Sequence, residues 1–135
     1  MQLCSGLATL FEVLDAPTIT LTVGMPAAGI ETWLRTCGAA SAAIVTAWNP
    51  FSAALAPEVN AARQRELITA VDAAGLRRCA AQGRDPAGEW PPELSLCVFD
   101  APLDLIDRWL AGFEQYAAVT ADAAGCRLRW HPAVR

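Results

Sequence analysis

The sequence predicts an α+β domain on three observations. Short runs rich in β-branched and apolar residues, such as residues 18–23 and 42–48, are typical of strands. Longer stretches with apolar residues three or four positions apart, such as residues 58–74, are typical of amphipathic helices. Hydrophobic residues make up 54% of the chain and charged residues 18%, a composition that supports a folded core and argues against disorder.

The sequence of residues 2–37 predicts three secondary-structure elements. Leucine and phenylalanine recur at helical spacing over residues 2–14, which indicates an amphipathic helix that ends before Pro17. Residues 18–23 alternate as a strand does, and residues 27–37 indicate a short helix that Gly38 terminates.

The rest of the chain predicts a core and a final hairpin. Residues 42–48 form a continuous apolar run, which is typical of a central strand buried on both faces. The later elements are a long helix at 58–74, strands at 76–83 and 94–99 joined by a polar loop at 84–93, a helix at 102–115, and strands at 117–121 and 126–130.

From residue 42 onward the elements follow the order strand, helix, strand, strand, helix, strand, which is that of the split βαβ or ferredoxin-like fold. We expect an antiparallel or mixed sheet with helices on one face, an N-terminal helix-strand-helix extension and a C-terminal hairpin. Residues 1–135 are expected to form a single domain, with residues 1–41 as the extension packed on a core of residues 42–130.

Charge and composition narrow the classes of function. The net charge of −4 disfavours nucleic-acid binding, which depends on neutralising phosphates. All ten basic residues are arginine, so chemistry that requires a lysine is excluded. No stretch indicates a membrane span or a signal peptide, and we expect a cytoplasmic protein that is a monomer or a homodimer and needs no cofactor.

In a ferredoxin-like fold, the end of the first core strand, the start of the long helix, the 84–93 loop and the end of the second core helix lie at one edge. Polar residues are concentrated there. The candidate ligand-binding residues are Asn49, Ser52, Asn60, Arg63, Asp85, Trp90, Glu93 and Gln115. Because a guanidinium binds anions through forked hydrogen bonds, we expect a small polar or anionic ligand, or a short peptide, held by Arg63, oriented by the amides and shielded by Trp90.

Three other interpretations stay open. The polar groups could simply brace the loops, with Arg63 in an ion pair with Asp85 or Glu93. The chain could be a metal-independent hydrolase or transferase with one of those carboxylates as general base. It could also be a protein interaction module that uses an exposed sheet edge or apolar patch.

Cysteine and histidine do not indicate a catalytic or metal site. The five cysteines form no CxxC pair and lie mostly in apolar runs, so we expect buried thiols. His131 has no Ser, Cys or Asp arrangement pointing to it, which disfavours a catalytic histidine.

A set of residues spread along the chain resembles a known family. They are TAWNPFS at 46–52, then Asn60, Ala61 and Leu67, then Gly83, Asp85, Gly88, Trp90, Glu93 and Ser95, and finally Phe113, Gln115 and Ala117. From about residue 18 to residue 119 the chain resembles the small bacterial family of domain of unknown function 3293. It departs from that family's pattern at residues 92–95 and 113–117, where it reads PELS and FEQYA. The resemblance implies where a site lies and implies no activity.

Overall fold

The computed structural model describes residues 9–135. Its strands are β1 (Leu10–Val13), β2 (Ile19–Leu21), β3 (Ala42–Val45), β4 (Arg78–Arg84), β5 (Glu93–Phe99), β6 (Ala117–Asp122) and β7 (Gly125–Trp130). Its helices are α1 (Ala27–Cys37), α2 (Pro57–Ala73) and α3 (Leu103–Gly112), with short 3₁₀ turns at Pro50–Ser52 and Pro132–Val134. The protein is therefore an α+β fold, as the sequence predicts.

The seven strands form one curled, half-barrel sheet in the order β2-β1-β4-β5-β3-β6-β7. Every neighbouring pair is antiparallel. The N-terminal strands join the same sheet as the core, because β1 pairs with β4 along its whole length.

The predicted helix at residues 2–14 is wrong where it can be compared. Residues 2–8 lie outside the described part of the chain, and Leu10–Val13 is a strand between β2 and β4. Phe11 and Val13 are buried while Leu10 and Glu12 are half-buried, which is the two-residue alternation of a strand. The pairing partners are distant in sequence, so a local helical spacing could not reveal them.

Helices cover both faces of the sheet. Leu67 and Val71 of α2 pack with Ile106 and Leu110 of α3 against one face. On the other face α1 packs Ile30, Trp33 and Leu34 onto a separate apolar cluster. The two core helices, α2 and α3, thus share one face, and α1 of the N-terminal extension covers the other.

β3 ends earlier than the predicted strand at 42–48, and Thr46 explains why. Its Oγ1 donates to the Leu94 carbonyl at 2.6 Å and accepts from the Trp48 N–H at 3.0 Å. A side chain therefore takes over the hydrogen bonding of the strand ladder, which turns the backbone away from the sheet.

The end of α3 also comes earlier than predicted. The helix stops at Gly112, the Gln115 N–H closes back on the Leu110 carbonyl at 3.0 Å, and Glu114 adopts a left-handed φ of 55°. This is a helix stop of the kind that usually uses glycine. Across residues 9–135, none of the helices has the length and apolar character needed to cross a membrane.

Candidate functional site

The segment after β3 has an unusual backbone. Asn49, Phe51 and Ser52 have φ values of 45°, 46° and 63°. Positive φ is uncommon for residues other than glycine, and such conformations persist only where neighbouring groups hold them. Side chains from α2 and from the turn after α3 provide that support.

Asn49 and Asn60 pair directly. The Asn49 N–H donates to Asn60 Oδ1 at 2.8 Å, and Asn60 Nδ2 donates to Asn49 Oδ1 at 2.6 Å. The Leu55 N–H also donates to Asn49 Oδ1, at 3.1 Å. Asn60 is only 1% exposed, so these bonds form inside the protein and fix the segment against the first turns of α2.

Two glutamines, Gln64 of α2 and Gln115 of the turn after α3, form hydrogen bonds with the same segment. Gln64 Oε1 accepts the Ala47 N–H at 3.0 Å, and Gln115 Nε2 donates to the Trp48 and Phe113 carbonyls, both at 3.2 Å. Both glutamines are buried. Gln64 was not among the predicted site residues, although the helical periodicity of the sequence places it on the same stripe as Asn60.

Arg63 bridges the segment to the turn after α3. Its Nε donates to the Ala47 carbonyl at 2.9 Å and its Nη2 donates to the Phe113 carbonyl at 2.6 Å. Its Nη1 lies 3.6 Å from Glu114 Oε1. The carboxylate described at the guanidinium is that of Glu114.

The described contacts thus join five polar residues into one network, which we call the polar brace. Its members are Asn49, Asn60, Arg63, Gln64 and Gln115. Four of them were predicted as site residues, and the structure uses their side chains mainly to hold backbone groups.

The other four predicted residues are Ser52, Asp85, Trp90 and Glu93. Asp85 is buried in the β4–β5 loop, where its two carboxylate oxygens accept the Ala87 N–H at 2.9 Å and the Glu89 N–H at 2.8 Å. Trp90 lines an open groove in that loop. Glu93 is the buried first residue of β5. Ser52 lies in the 3₁₀ turn after β3, where its N–H donates to the Asn49 carbonyl at 2.9 Å.

An aromatic group lies on the outer side of the same turn. The ring of Phe51 is centred 5.0 Å from that of Tyr116 and 6.0 Å from that of His131. Phe51 and Tyr116 are 40% and 41% exposed. The Phe51 N–H donates to the Glu114 carbonyl at 2.7 Å, so the aromatic group and the polar brace share the turn at residues 113–116.

In residues 9–135 we find no group of three His, Cys, Asp or Glu side chains placed to hold a metal ion. The groups near the turn at residues 113–116 are the Arg63 guanidinium, the exposed Glu114 carboxylate and the rings of Phe51, Tyr116 and His131.

Comparison with known families places this geometry in context. Residues 45–118, more than half of the chain, match the family described as protein of unknown function, DUF3293. The chain belongs to this family. All five brace residues fall inside the DUF3293 match, whereas β1, β2, α1, β7 and His131 lie outside it. Searches of curated proteins and of solved structures gave no match.

Proposed function

We propose that this DUF3293 protein binds a small anionic molecule, a carboxylate or a phosphate, where Arg63 meets Glu114. One observation supports this most. Arg63 has five N–H donors, of which its contacts with two carbonyls occupy one on Nε and one on Nη2. Among residues 9–135, the remaining donors have only the Glu114 carboxylate, at 3.6 Å from Nη1.

The Glu114 carboxylate is a replaceable partner. Its side chain is 53% exposed, and exposed ion pairs contribute only about 0–1 kcal/mol. A separation of 3.6 Å is also longer than a charge-assisted hydrogen bond, which measures about 2.7–2.9 Å. An external carboxylate or phosphate that forms two short bonds would gain more from the guanidinium than Glu114 does.

The surroundings favour a ligand with a flat or apolar part beside its charge. Phe51 and Tyr116 present partly exposed rings next to the Glu114 turn, and apolar walls with a few polar groups are typical of ligand sites. Backbone held at positive φ is also concentrated at ligand sites, although such strain alone does not specify a ligand.

The test is a titration of the protein with inorganic phosphate and with benzoate, followed by NMR chemical shifts of the backbone amides. Glu114→Gln keeps the shape of the side chain and removes the internal competitor, so we expect about 1.5- to 5-fold tighter binding. Arg63→Lys removes the forked donors, so we expect about tenfold weaker binding or more.

The matched control is Arg65→Lys, since Arg65 is an exposed arginine on the same helix and its side chain has no place in the brace. It should leave both affinities unchanged. Equal affinities for the parent protein, Glu114→Gln and Arg63→Lys would exclude this site.

The alternative of an enzyme with a loop carboxylate as general base has less support. Both carboxylate oxygens of Asp85 accept backbone N–H bonds of its own loop, which suits a structural role. We also infer a ferredoxin-like core, which the neighbour order β4-β5-β3-β6 and its antiparallel pairing support.

A further inference from the structure

We propose that Cys79 and Cys97 are a redox-sensitive pair that a hydroperoxide converts to a disulfide between β4 and β5. This pair lies away from the Arg63 site, and the inference is independent of the proposed function.

The sheet register places the two cysteines opposite each other. Cys79 and Cys97 are direct partners in the antiparallel β4–β5 ladder. Directly opposed residues have Cα atoms about 4.5–5.5 Å apart, within the range of about 4.4–6.8 Å that a disulfide spans. Cys97 belongs to the apolar cluster beneath α1, and Cys79 packs against the same cluster.

The two thiols differ in their access to solvent. Cys97 is 0% exposed, whereas Cys79 is half-buried and lines a surface cleft of about 260 Å³. Cys37, Arg77 and Asp15 line the same cleft. A small oxidant therefore reaches Cys79 first, and Cys97 lies behind it as the thiol that completes the bond.

The chemistry takes two steps. The Cys79 sulfur attacks the outer oxygen of the hydroperoxide, the O–O bond breaks, and the products are a sulfenic acid and an alcohol, or water when the oxidant is hydrogen peroxide. The Cys97 sulfur then attacks the Cys79 sulfur, the S–O bond breaks, and hydroxide leaves as water with the Cys97 proton. The two thiols lose two electrons in total, which the peroxide gains.

The environment makes this pair slow to react at neutral pH. Burial raises the pKa of the Cys79 thiol, and the Asp15 carboxylate raises it further. Burial also raises the pKa of Cys97. Because the thiolate is the attacking species, we expect oxidation under sustained exposure to peroxide and not in a brief pulse.

The bond would lock the β4–β5 hairpin. It would join the strands near the end of the ladder that lies opposite the loop containing Asp85 and Trp90, so β4 and β5 could no longer separate from that end. Opposed Cβ atoms in a sheet are usually about 4.5–5.5 Å apart, wider than the roughly 3.8 Å of a relaxed disulfide, so the bond should be readily reduced.

The test treats the whole protein with hydrogen peroxide and maps its peptides by mass spectrometry without reduction. We expect the intact chain to lose the mass of two hydrogen atoms, a single linked peptide that joins Cys79 to Cys97, and full reversal by dithiothreitol. Cys126→Ser removes a buried thiol of β7 and should give the same linked peptide.

Two outcomes would overturn the proposal. One is a disulfide between Cys79 and any cysteine other than Cys97. The other is a parent protein in which Cys79 becomes sulfinic acid while Cys97 stays a free thiol that alkylates after denaturation. Both are read from the unmutated chain, so they do not depend on a variant that folds. Cys97→Ala adds a check, since it should abolish the linked peptide and leave Cys79 oxidised alone.

Discussion

Asn60 should be a major source of stability for the segment that follows β3. Asn60→Ala removes bonds of 2.8 Å and 2.6 Å to Asn49 and a weaker one of 3.3 Å to the Leu55 carbonyl. It also leaves the Asn49 N–H without its partner. A buried donor left unsatisfied costs about 1–3 kcal/mol, and each further lost bond adds about 0.5–1.5 kcal/mol. The higher helix propensity of alanine offsets roughly 0.5 kcal/mol of this loss in the free energy of unfolding.

The expected loss is therefore about 2–4 kcal/mol in the free energy of unfolding. For a chain of 135 residues, that loss lowers Tm by about 7–14 °C. The assay is urea unfolding followed by tryptophan fluorescence, with Glu66→Ala as the control because Glu66 is exposed on the same helix.

A double-mutant cycle separates the pair from its surroundings. Asn49→Gly keeps the left-handed backbone and deletes the side chain that Asn60 contacts. Combined with Asn60→Ala it should cost about 1–2 kcal/mol less than the sum of the two single changes. Strict additivity, or a loss for Asn60→Ala no greater than that for Glu66→Ala, would refute the role of the polar brace.

Two further predictions concern other parts of the fold. Hydrogen bonds from Arg129, and secondly from Arg135, lower the pKa of the Asp107 carboxyl to about 2. The ion pair therefore stabilises the folded state above about pH 4, and this stabilisation is lost as the pH falls towards about 2. Asp107→Asn should therefore lower the free energy of unfolding by about 1–2 kcal/mol at pH 7 and hardly at all near pH 2, while Asp104→Asn changes little at either pH; an equal loss at both pH values would contradict this. Gly125 has a φ of 111° and a Cβ there would lie 2.9 Å from a backbone carbonyl, whereas Gly88 has a φ of 70° and open space around it. Gly125→Ala should thus cost about 2–3 kcal/mol and Gly88→Ala about 1 kcal/mol in thermal or urea unfolding, and similar losses would show that this close approach is unimportant.

The helices and the central strands could be predicted because their signals are local. The apolar spacing of α1 and the unbroken apolar run at β3 both reflect which faces are buried. β1 could not be predicted in this way. Leu10 and Phe11 fit a helical spacing as well as a strand, and what decides between them is hydrogen bonding with β4, about seventy residues away in the chain.

The position of the polar brace followed from the order of the strands, but its partners did not. The acceptors of Arg63 are the backbone carbonyls of Ala47 and Phe113, in turns where Phe51 and Glu114 adopt left-handed conformations. Neither residue type signals such a conformation. The nearness of His131 depends on where the chain runs after β7, and no periodic pattern determines that path.

The place of β4 in the sheet limits how the protein can be shortened. β4 pairs with β5 on one side and with β1 on the other, and β1 lies outside the DUF3293 match at residues 45–118. A fragment restricted to that match would leave one side of β4 unpaired at residues 81–84, would keep only Val45 of β3, and would remove α1 from the face it covers. Open strand edges recruit other chains, so such a fragment should aggregate. Soluble expression of the family segment would thus require residues 10–44, which supply β1, α1 and most of β3.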